Sequence, residues 1–158
     1  MKQTLTPLAL FCGAALLSGC TATGNNNAAL QTSTAQQLAQ QYIIIDTHID
    51  VPYRLHKDWE DVTVATQRGE FDYPRAQAGG LNAPFMSIYI PASYERSGGG
   101  YQLANQLIDS MEALVGRAPD KFAMAYSSQD VLDQFGSAKV SLALGMENGT
   151  PIDGKLEN

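Results

Sequence analysis

The chain has 158 residues, enough for one domain of ordinary size. With 44% hydrophobic and 16% charged residues it has the composition of a globular protein and not of a disordered one. A formal net charge of -6 excludes the basic surface that nucleic-acid phosphates require, so nucleic acid is not expected as a partner.

The first twenty residues read as a targeting segment and stand outside the fold. Lys2 supplies a short positive region, and Leu5 to Leu17 is mostly apolar. That stretch is shorter than the about 20 apolar residues a membrane-spanning helix needs. It ends in Leu17-Ser18-Gly19-Cys20, which resembles a bacterial lipobox. The resemblance implies that Cys20 becomes the first mature residue and carries lipid, with acyl chains anchoring the protein in the cell envelope, facing the periplasm. Thr21, in place of an Asp, points by analogy with known sorting to the outer membrane. Cys12 is lost with the leader and Cys20 is lipidated, which uses both cysteines of the chain. No disulfide framework, thiolate zinc site or cysteine nucleophile is then available.

Thr21 to Thr34 is built of Thr, Asn, Ala, Gln and Ser and reads as a flexible tether, leaving residues 35–158 for the domain. A short helix is expected from Ala35 to Gln41, then a first strand from Tyr42 to Asp46. The run Ile43-Ile44-Ile45-Asp46-Thr47-His48-Ile49-Asp50 is apolar before it turns polar. On an extended strand the side chains of i and i+2 share a side, so His48 and Asp50 leave the strand end together, with Asp46 one step earlier. An imidazole beside a carboxylate is a half-site for zinc or a similar divalent cation. A hydrogen-bonded structural pair is the bland alternative.

Val51 to Asp72 reads as a long loop with a helical turn around Arg54 to Trp59. His56 in it reads as a surface residue, whereas Tyr53 and Trp59 suit either a pocket wall or ordinary packing. Arg75 is expected to pair with a carboxylate of the fold. Ala78-Gly79-Gly80 predicts a tight turn, and Ala83 to Ile90 a second strand closed by Pro91. Glu95 to Gly100 is a Gly-rich connection without the context of a phosphate-binding loop. Leu103, Leu107, Met111 and Leu114 form one face of a helix from Tyr101 to Val115, with Gly116 as its cap and Pro119 beyond it. Ser127 with Asp130 predicts the start of a second helix, Ser128 to Phe135. Val140 to Leu144 is a third strand, running into Gly145-Met146-Glu147-Asn148-Gly149. Helices between apolar strands favour a parallel α/β sheet covered on both faces. In (β/α) barrels the active site lies at the C-terminal strand ends, where His48, Asp50 and Glu147 would meet.

Three segments in this order resemble the N-terminal part of the membrane (renal) dipeptidases, the M19 metallopeptidases. They are Ile45 to Pro52, then Asp72-Tyr73-Pro74-Arg75 through Gly79-Gly80 to Phe85-Met86-Ser87-Ile88-Tyr89-Ile90-Pro91, then Leu144 to Gly149. The resemblance implies part of a TIM-type (β/α)8 barrel, with about three strands present. It implies that His48 and Asp50 bind one zinc ion, that Glu147 bridges it to a second, and that dipeptides, some with a D-residue at the second position, are the substrates. In the family Gly-Gly is more common where this chain has Asn148-Gly149. The family's later histidines have no counterpart here, since the chain has two histidines in all. The 158 residues therefore read as the first part of a longer enzyme, inactive alone. A non-catalytic lipoprotein binding peptides or cell-wall fragments is the rival reading, and another amide or a lactam a rival substrate. The oligomeric state is left open.

Overall fold

The computed structural model describes residues 34–158, so the leader, Cys20 and the tether up to residue 33 lie outside the described residues. A helix over 34–41 (α1) leads to strand β1, Ile44–Ile49. Helices α2 (Val51–Lys57) and α3 (Tyr73–Gly79) follow, then β2 (Leu81–Ile88). A single turn, α4 (Tyr94–Ser97), precedes the long helix α5 (Gly100–Arg117). Strand β3 (Phe122–Met124), helix α6 (Ser128–Gln134) and strand β4 (Val140–Met146) complete the order, with a 3-10 turn at Thr150–Ile152.

The four strands pair in parallel in the order β1-β2-β4-β3. Their C-terminal ends therefore share one rim. Alternation along β2 and β4 separates two faces. Met86 and Ile88 of β2, with Val140 and Leu142 of β4, point to the helices and are at most 3% exposed. There they meet Leu103, Leu107, Met111 and Leu114, which the helical spacing of α5 brings onto one face. Val51 and Leu55 of α2 and Ala76 of α3 join the same core. The other face of the sheet opens into an apolar trough of ≈ 640 Å³ walled by Ile43, Ile45, Phe85, Leu132 and Ala143. This is the interior side of a partial (β/α)8-type barrel.

The structure departs from the expected elements in instructive ways. There are four strands and not three, because Phe122–Met124 pairs with the start of β4. The helical turn expected around Arg54 to Trp59 is α2, which starts earlier, at Val51, with Pro52 in its first turn, while the rest of the expected loop up to Asp72 is irregular; α3 is a helix that Asp72 caps ahead of Pro74. Gly116 does not cap α5; the helix continues through it to Arg117, with Ala118 as its cap and Pro119 beyond. Coverage on both faces fails at β1. Ile44 is 37% exposed and Ile45 51%, because β1 has a partner on one side alone and its inner face fronts the trough.

The segment between α2 and α3 is fastened by ion pairs. Arg54 pairs with Glu60 at 3.1 Å, Arg68 contacts Asp58, and Arg75 Nε donates to Asp72 at 2.8 Å. The expected pairing of Arg75 is thus with Asp72, which is 1% exposed and also accepts from the Thr66 and Arg75 backbone amides. Burial raises the Asp72 carboxyl, but the Arg75 guanidinium and these amides overcome it and hold the group well below the usual carboxylate range.

Candidate metal centre

The three candidate ligands come from two strand ends. The β1–β2 register breaks between Asp46 and Ile49, and Asp46 Oδ1 accepts the His48 backbone N–H at 3.0 Å. Asp46 thereby fixes the backbone where it leaves the sheet and is not part of the ligand group. Asp50 sits at the N-cap of α2, yet its side chain makes no capping hydrogen bond. An Asp at that position usually bonds the first-turn amides; here the carboxylate is left for His48. Glu147 follows the last residue of β4. Asn148 clamps that end, donating to the Ile90 carbonyl at 2.9 Å and accepting from the Thr150 amide at 3.2 Å. The departure from Gly-Gly at Asn148 therefore ties the ends of β2 and β4 together.

His48 Nε2 lies 3.3 Å from Asp50 Oδ1 and 3.4 Å from Glu147 Oε2. One donor atom from each of the three falls within 4.8 Å of the others. Donors about 2.1 Å from a shared tetrahedral centre stand about 3.4 Å apart, so the spacing fits a zinc-sized ion. The donor chemistry fits as well: one neutral nitrogen and two carboxylates suit a borderline divalent cation. Among the described residues no Lys or Arg forms an ion pair with Asp50 or Glu147; Arg54, which lines the same cleft, is paired with Glu60. All three side chains are reached by solvent, His48 at 50% and Glu147 at 34%.

Beside the ligands a cleft of ≈ 380 Å³ is walled by Asp50, Tyr53, Arg54, Tyr89 and Glu147. Tyr53 and Tyr89 meet edge to face at 5.3 Å, and His56 stacks on Tyr53 from outside at 6.1 Å. His56 is an exposed residue, as expected. Tyr53 is a pocket wall, whereas Trp59 is 63% exposed and away from the cleft. Ser87 went unremarked in the sequence. Its hydroxyl donates to Glu147 Oε2 at 2.7 Å. The available signal was a hydroxyl inside the otherwise apolar stretch Phe85-Met86-Ser87-Ile88.

The arrangement has relatives among known proteins. A family model described as membrane dipeptidase, peptidase family M19, matches residues 32–158. The probable dipeptidase PvdM from Pseudomonas aeruginosa superposes with a TM-score of 0.67 at 18% identity, over 78% of this chain and 32% of that one. A metallopeptidase from Rhodobacter sphaeroides, solved with a phosphinate mimic of the dipeptide L-Ala-D-Ala, gives 0.57 at 18% identity over 67% of this chain and 38% of that one. Dipeptidase AC, a metallopeptidase of family M19, gives 0.57 at 21% identity over 67% and 35%. The chain thus spans about a third of the length of these structures, 32% to 38%. With a match running from residue 32 to the last residue, the chain belongs to the membrane dipeptidase family, peptidase family M19.

Proposed function

We propose that this chain provides the first half of a zinc dipeptidase centre, with His48 and Asp50 holding one ion and Glu147 placed to bridge it to a second. The observation that carries the reading is the convergence of an imidazole and two carboxylates, from positions about a hundred residues apart, at one rim of a parallel sheet. Oε2 of Glu147 faces His48, while Oε1 makes no hydrogen bond among the described residues. A divalent ion held there supplies Lewis acidity, polarising a peptide carbonyl and making water a stronger acid. The chain's own residues orient that chemistry: the Tyr53 and Tyr89 rings wall the cleft in which a small peptide would lie against Asp50 and Glu147. A dipeptide is the substrate class favoured, supported by family membership and by the dipeptide mimic in the Rhodobacter relative.

The same reading places the domain on a lipidated Cys20, tethered at the periplasmic face of the outer membrane. Its support is the sequence Leu17-Ser18-Gly19-Cys20 after an apolar stretch. Among the described residues no helix is long and apolar enough to cross a membrane.

Beyond Glu147, the described residues offer no ligand group for the second metal, and the chain's other histidine, His56, stacks on Tyr53. Incubated with Zn2+ and a panel of dipeptides that includes L-Ala-D-Ala, the 158-residue chain is expected to bind the ion and give no turnover above a His48→Ala control. Turnover that His48→Ala removes would overturn the half-site reading. Failure to bind Zn2+ would overturn the metal reading itself.

A further inference from the structure

We infer that Ser87 is a positioning residue for the metal centre: its hydroxyl holds the Glu147 carboxylate on the His48 side of the cleft. The inference deepens the proposed function and rests on it. Met86 and Ile88 turn toward the helices, so the alternation of β2 turns Ser87 to the inner face, where Ala83 and Phe85 precede it. Ser87 is 2% exposed. A hydroxyl buried there without a partner is destabilising, so its bond must be made inside the protein. It is made to Glu147 Oε2 at 2.7 Å, across sixty residues of sequence.

Register explains the pairing. Ser87 stands opposite Gly145 in the β2–β4 ladder. Gly145 has no side chain, so Glu147, two residues on and just past the end of β4, is the next side chain on that side. Among the described residues the Ser87 hydroxyl makes the one side-chain hydrogen bond to Glu147. Glu147 lies beyond the end of β4, is 34% exposed, and has the like-charged Asp50 within 4.8 Å. Repulsion favours swinging the carboxylate outward to water. The Ser87 hydroxyl opposes that motion through the oxygen that lies 3.4 Å from His48 Nε2. A carboxylate oxygen accepts at two lone pairs, so it can accept the Ser87 hydrogen bond and still face a cation.

Groups that orient metal ligands in this way are worth about 10–100-fold in metal affinity. Co2+ titration of the chain, followed by visible absorption, reads that affinity without recourse to turnover. Ser87→Ala is expected to weaken Co2+ binding about tenfold. The metal-free thermal midpoint should stay near that of the parent chain. In a Glu147→Ala background the same substitution should cost nothing further, because its effect runs through Glu147. Unchanged Co2+ affinity in Ser87→Ala, or an equal loss with Glu147 already removed, would overturn the inference and leave the proposed function standing. A parent chain whose Co2+ spectrum matches that of His48→Ala would overturn both.

Discussion

At the scale of single residues, the centre is a matter of which side chains are left uncommitted. Asp46, Asp50 and Asp72 are all carboxylates beside backbone amides, and they divide the work. Asp46 braces the end of β1 and Asp72 caps α3, whereas Asp50 caps nothing and faces His48. His48, Asp50 and Glu147 were legible because chemistry-bearing residues stand out at the ends of apolar runs. Ser87 was not, since its partner is sixty residues away and a lone serine in a strand carries no message until the register is known. Asp72 yields a sharp expectation. Replacing it with Ala removes an N-cap and leaves the Thr66 amide without its acceptor, which should cost about 2–4 kcal/mol in urea unfolding. Its folded-state pKa is depressed, so its contribution is present above the unfolded value of about 3.9 and is lost as pH falls below that value. Parent stability should therefore drop below about pH 4, and Asp72→Asn should shrink that drop. A parent and variant with the same acid profile would contradict the assignment.

At the scale of elements, periodicity succeeded where burial is one-sided and failed where an element is short. Helix α5 has eighteen residues and a clean stripe, and its four expected core residues are buried at 3% or less. Helix α6 has the capping box that Ser127 and Asp130 announced. Helices α2 and α3 have seven residues each and strand β3 three, too few for a period to show. Such elements owe their existence to tertiary contacts more than to propensity. The turn from α3 into β2 can be tested. Gly80 has φ +75°, and a Cβ there would lie 2.3 Å from the Ala39 carbonyl oxygen. Gly80→Ala is expected to lower stability by more than about 1 kcal/mol in chemical denaturation, with Gly79→Ala, where a Cβ meets nothing, as the mild comparison. Equal effects at the two positions would show that the close approach of α1 is not tight.

At the scale of the whole molecule, the chain is part of a barrel whose helix-facing side is finished and whose interior side is open. The helix side of the sheet carries a dense core, while the inner side leaves Ile45 and Phe85 exposed beside the trough. The expectation of strands covered on both faces failed at β1 for this reason: the apolar run Ile43-Ile44-Ile45 is suited to a closed barrel, and this chain spans about a third of its structural relatives, 32% to 38%. Residues 1–33 lie outside the described residues, so the anchor is tested chemically. Metabolic labelling of bacteria expressing the chain with an alkyne fatty acid should tag the protein, and Cys20→Ala should abolish the tag. Labelling that survives Cys20→Ala would remove the lipoprotein reading and leave the metal centre untouched.

The central claim is that one imidazole and two carboxylates close around a divalent ion at this rim. Crystals of the chain soaked in Zn2+ and measured across the zinc absorption edge test it directly. The account requires an anomalous peak about 2.0–2.2 Å from His48 Nε2 and from one oxygen each of Asp50 and Glu147. A zinc peak elsewhere on the chain, with these three side chains left without metal, would contradict it.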